Sequence, residues 1–69
     1  MPRTEHHVFL VRPGEPDLAL GKYKLHTEAE AITAAVKGCR GTLKRLMRHT
    51  GSVKCGATVT ALAALSKYL

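Results

Sequence analysis

Apolar residues along the chain change period after the first third. Val8-Phe9-Leu10-Val11 is a β-branched and aromatic run that ends at Arg12-Pro13-Gly14, the pattern of a strand entering a turn. Pro13-Gly14-Glu15-Pro16-Asp17 is the turn-rich cluster, and its two prolines exclude a helix there. A second strand is expected from Leu18 to Leu25, where Tyr23 and Leu25 alternate with Lys22 and Lys24. Gly21 marks a bulge or a close backbone approach within it. The two strands make an antiparallel hairpin over about residues 7–25, with Phe9 expected in the core. A lone hairpin is not stable in water, so something must cover it.

From residue 27 onward the spacing is helical. Thr27-Glu28-Ala29-Glu30 reads as a capping box: Thr27 accepts from the Glu30 amide, and Glu30 reaches back to the Thr27 amide. Ala29, Ile32, Ala35 and Val36 then share a face and Gly38 stops the helix, which is expected over about 27–37. A second helix is expected over 42–50, closed by Gly51. Leu43, Leu46 and Met47 form its apolar stripe, and Lys44, Arg45 and Arg48 its polar face. Val59, Leu62, Leu65 and Leu69 recur at helical spacing and predict a third helix over 57–69. The β-branched residues from Val53 to Thr60 leave a short third strand open as an alternative. The fold class is therefore α+β: an N-terminal β-hairpin followed by two to three helices in a single small domain.

Charge adds most to this picture. The chain has 69 residues, 45% of them apolar and 23% charged, which fits a globular domain with a marginal core. The formal net charge is +6, and its distribution is uneven. Residues 1–30 carry all five acids with four bases, whereas residues 31–69 carry seven bases and no acid. Such asymmetry points to a polyanionic partner for the second half. Lys37, Arg40, Lys44, Arg45, Arg48 and Lys54 are the candidate binding residues, suited to phosphate contacts.

Other chemistry is sparse. Cys39 and Cys55 show no paired spacing with each other or with His6, His7, His26 and His49, so no metal and no cofactor are expected. Two reduced, largely buried thiols fit a cytoplasmic protein better. There is no nucleophile elbow, no HExxH and no P-loop, so an enzyme is not expected. No apolar run approaches the length of a membrane span, and no signal-peptide pattern is visible at the start.

The segment Thr42-Leu43-Lys44-Arg45-Leu46-Met47-Arg48-His49-Thr50-Gly51, followed by Ala57-Thr58-Val59-Thr60-Ala61-Leu62-Ala63-Ala64-Leu65, resembles the helix-turn-helix core of winged-helix regulators. In that family a short helix ends in Thr-Gly, and a second helix of the type Thr-Val-x-x-x-Leu-x-x-Leu lies in the DNA major groove. The resemblance implies DNA binding through residues 58–65. Ser52–Thr58 is longer than the family's turn, the reading helix has only Lys67 as a base, and no strand pair follows it as a wing.

These observations together predict a small basic non-enzymatic binding protein that contacts nucleic acid through a basic helix. The alternative is a protein–protein interaction module or inhibitor docking on an acidic surface of a larger complex. A small core and an open strand edge also make a homodimer an expected possibility.

Overall fold

The computed structural model describes residues 2–46 and 50–69. Strand β1 (Thr4–Val11) pairs antiparallel with β2 (Leu18–Leu25), as the hairpin pattern requires. Helices α1 (Glu28–Gly38) and α2 (Arg40–Leu46) follow, then strands β3 (Ser52–Cys55) and β4 (Thr58–Ala61). A one-turn helix α3 (Leu62–Leu65) and a 3₁₀ turn (Ser66–Tyr68) complete the chain. The four strands form one antiparallel sheet in the order β2-β1-β3-β4, so β1 lies inside the sheet and β2 and β4 are its edges. The protein is an α+β single domain, but its sheet is more than the expected hairpin.

Alternation along β1 sorts the two faces. Val8 and Leu10 are fully buried beneath the helices together with Val53 and Cys55 of β3. Successive strand residues point to opposite sides, so Phe9 falls on the open face and is only half-buried, contrary to the expectation that it lies in the core. The β1–β2 register slips at Leu20, beside Gly21, where the sequence anticipated a bulge. Ala31, Ile32, Ala35 and Val36 of α1, Leu43 of α2, and Leu62 and Leu65 of α3 close the core from the other side.

Helix α1 begins at the anticipated cap. Thr27 is the N-cap, and its hydroxyl oxygen accepts from the Glu30 amide at 3.2 Å. The return half of the box differs: Glu30 Oε1 accepts a hydrogen bond from the Thr27 hydroxyl at 3.0 Å rather than from the Thr27 amide. Cys39 breaks the helical run, and α2 starts at Arg40, two residues earlier than expected. Residues 47–49, where the sequence placed the end of that helix, lie outside the described residues.

The expected helix over 57–69 is replaced by β4, α3 and the 3₁₀ turn, and the short strand left open at Val53–Thr60 is present as two. Gly56 explains the change. It sits at φ +58° in the two-residue turn Gly56-Ala57 between paired Cys55 and Thr58, and hairpins of that length favour positive φ. Once the chain reverses there, the alternating Thr58-Val59-Thr60 completes a strand. Val59 then turns outward and is 60% exposed, although it was in phase with the buried Leu62 and Leu65. The segment that the winged-helix resemblance makes a DNA-reading helix is thus an edge strand followed by one helical turn.

Gly51 shows why the β3 end fits closely. A Cβ there would lie 2.8 Å from the Val11 carbonyl oxygen and 3.2 Å from Leu62 Cδ1. The Gly51 carbonyl also accepts the Leu62 amide at 3.0 Å, tying α3 to the start of β3.

Candidate functional site

The C-terminal end of α1 and the whole of α2 present cations. Helix α2 buries one side chain, Leu43, and this fixes its rotation: Arg40, Lys44 and Arg45 all become exposed. Arg40 and Lys44 are one helical turn apart and share a face. Lys37, in the last turn of α1, is exposed nearby in sequence, and its charge suits the negative end of the helix dipole. Its ammonium lies 5.8 Å from the Tyr68 ring centroid, and that of Lys67 lies 5.2 Å from the same ring. Tyr68 therefore gathers Lys67 toward Lys37. Sequence spacing could not show this, because the C-terminal turn reaches the ring only through the fold.

Lys54 does not belong to this group. It alternates with the buried Val53 and Cys55, so it projects from the open face of the sheet, between Phe9 and Val59 in register. It pairs there with Asp17 at 3.3 Å. Arg48 lies outside the described residues. Of the six predicted binding residues, the fold places Lys37, Arg40, Lys44 and Arg45 on its helical side and Lys54 on the opposite face.

A cleft of 440 Å³ adjoins the basic helix, lined by Arg45 and Leu46 on one side and Arg12 and Pro13 on another. Arg12 is held by Glu15 at 2.9 Å and donates to the Pro16 carbonyl at 3.4 Å. The β1–β2 turn is thereby braced against itself.

The other end of α1 carries a different set of groups. His6 of β1, Glu28 of α1 and Cys55 of β3 bring one ring nitrogen, one carboxylate oxygen and the thiol sulfur within 4.8 Å of one another. Cys55 is 1% exposed, and both other residues are half-buried. One ring nitrogen of His6, Nε2, lies 3.0 Å from the Leu25 carbonyl oxygen. The Thr58 hydroxyl donates to Glu28 Oε1 at 2.9 Å, across the base of the β3–β4 turn. Gly56 leaves room for the carboxylate, since a Cβ at that position would collide with Glu28 Oε2. Burial and, secondarily, the charge of Glu28 push the Cys55 thiol pKa upward. A nucleophilic cysteine needs the opposite shift, so the arrangement does not resemble an activated Cys–His pair.

Cys39, the second thiol, is also free and donates to the Leu20 carbonyl at 3.4 Å. Tyr23 donates to the same oxygen at 3.3 Å, and burial, then the nearby Cys39, raise its phenol pKa. No helix among the described residues is long and apolar enough to cross a membrane. No family model, curated protein or solved structure matches the chain.

Proposed function

We propose that this protein is a non-enzymatic nucleic-acid binder that contacts phosphates through Lys37, Arg40, Lys44 and Arg45, with Arg48 continuing the same stripe in sequence. The observation that carries the reading is that, among the described residues, none of these four cations meets a carboxylate. Four of the five acids are engaged elsewhere: Glu15 with Arg12, Asp17 with Lys54, Glu28 with Thr58, and Glu30 with Thr27. The chain contains no Asn or Gln, the side chains that grip adenine edges, and aromatic residues are only 4% of it. Both facts favour backbone contacts that tolerate sequence over base reading.

Binding to duplex DNA and to single-stranded RNA across a salt series tests this. Each phosphate contact on duplex DNA contributes about −0.9 to the slope of log K against log salt, so three to five contacts give roughly −2.7 to −4.5. Absence of retention on either nucleic acid at low salt would discard the reading. The stripe then fits an acidic protein surface, a second reading supported by the same cations that meet no carboxylate among the described residues.

A further inference from the structure

We propose that His6, Glu28 and Cys55 form a binding site for a divalent transition-metal ion of the zinc class. Three separate elements supply the ligands: an inward-facing position of β1, the first turn of α1 and the last residue of β3. The donor set is one imidazole, one carboxylate and one thiolate. Zinc and cobalt accept this combination, whereas magnesium and calcium, which prefer oxygen, do not. With an ionised carboxylate and a thiolate against a dipositive ion, the occupied site is electrically neutral. That matters for a group as buried as the Cys55 sulfur, because an uncompensated charge there is costly.

The surroundings are those a ligand set needs. Donation by His6 Nε2–H to the Leu25 carbonyl leaves Nδ1 with the lone pair, the backbone-carbonyl arrangement that commonly fixes a metal-bound histidine. The Thr58 hydroxyl holds one Glu28 oxygen and leaves the other to bind. A surface cleft of 350 Å³ lined by His6, Glu28, Cys55 and Gly56 gives an ion a path inward and leaves a fourth position for solvent or an external ligand. Binding exchanges the thiol proton for the metal: the S–H bond breaks, the sulfur–metal bond forms, and the proton leaves to solvent.

The test is titration of the reduced protein with Co²⁺ alone, followed by absorption spectroscopy. One equivalent is expected to produce a thiolate-to-cobalt charge-transfer band in the near-ultraviolet, with d–d bands strong enough to show fewer than six ligands. Zn²⁺ should displace the cobalt and raise the melting temperature. Cys39→Ser and His7→Gln should bind as the wild type does, and Cys55→Ser should lose the charge-transfer band. Thr58→Val, which frees the carboxylate, should weaken binding about 10–100-fold, and His6→Gln and Glu28→Gln by at least as much. Circular dichroism identifies any variant that has merely unfolded, and the wild type and Cys39→Ser then decide the question. The proposal is overturned if a large excess of Co²⁺ gives no thiolate band. It is also overturned if the band depends on Cys39, or if folded His6→Gln and Glu28→Gln variants bind with undiminished affinity.

Discussion

The two ends of α1 differ in almost every respect that governs what they can do. At its N-terminus Glu28 is tied by hydrogen bond to Thr58, Glu30 to Thr27, and His6 to Leu25. At its C-terminus, about 16 Å away for eleven residues, Lys37 and the α2 cations project into solvent. The first end is a set of converging, partly buried groups with few degrees of freedom. The second is a set of diverging charges held up by one buried leucine. Converging groups suit a small ion of defined geometry, and diverging charges suit an extended polyanion. One short helix thus separates two sets of groups of opposite geometry, and its dipole supports both: acids at the positive end, Lys37 at the negative end.

The largest effect should come from removing the support of the basic end. Leu43 is the only fully buried residue of α2, so Leu43→Ala should cost about 2–5 kcal/mol. In a domain of this size that is a large share of the total stability. Chemical denaturation should show a strongly lowered midpoint, and a loss below about 1 kcal/mol would mean that α2 is anchored elsewhere.

Removing the charges themselves should leave the fold alone. The Arg40→Ala, Lys44→Ala, Arg45→Ala triple variant should keep its stability within about 0.5 kcal/mol per site, because all three side chains are exposed. Its duplex-binding salt slope should flatten by about 2.7, one increment per lost phosphate contact. A triple variant that binds as the wild type does would remove the functional distinction between the two ends of α1.

The acidic end is expected to respond in stability rather than in nucleic-acid affinity. Thr27→Ala removes the acceptor for the Glu30 amide and should cost about 1 kcal/mol, visible as a lower melting temperature. Alkaline pH adds a related effect at Cys55. Burial raises the folded-state pKa of its thiol, so folding gives up nothing while the unfolded thiol is still protonated. Above about pH 8.5 the unfolded chain releases that proton first, and stability falls until the folded thiol also ionises. Tyr23 has the same sign at higher pH. A melting temperature that rises between neutral and alkaline pH would contradict this.

How much of this could be read in the sequence depended on whether the signal was local. The hairpin, its bulge, the Thr27 cap and the rotation of α2 about Leu43 each follow from neighbouring residues. The hairpin, the bulge and the cap appear where expected, with β1 reaching back to Thr4, whereas α2 begins two residues early at Arg40. Strand β4 was masked because four residues of alternation at Thr58–Ala61 adjoin a real apolar pair, Leu62 and Leu65, and Val59 happens to keep helical phase with it. A two-residue turn centred on a glycine was the available signal for the reversal. The His6–Glu28–Cys55 cluster had no local signal, since its members are each more than twenty residues apart and only the sheet and α1 bring them together. A charge count groups Lys54 with the other cations but carries no information about faces. The strand alternation from Ser52 to Cys55 supplies that information once β3 is known.

Lys54 also gives the smallest and sharpest test of the comparison. Its pair with Asp17 joins two side chains 41% and 42% exposed, so the bond contributes about 0–1 kcal/mol and its loss should barely move the melting temperature. The residue lies on the open sheet face, with Phe9 and Val59 as its register neighbours, whereas the proposed phosphate contacts lie on the helical side. Lys54→Ala should therefore leave both duplex affinity and the salt slope unchanged, while Arg45→Ala alone should flatten the slope by about 0.9. Equal flattening by the two variants would mean that the bound polyanion wraps from the helices onto the sheet. The open face would then belong to the interface, and the division between the two ends of α1 would no longer describe how the protein binds.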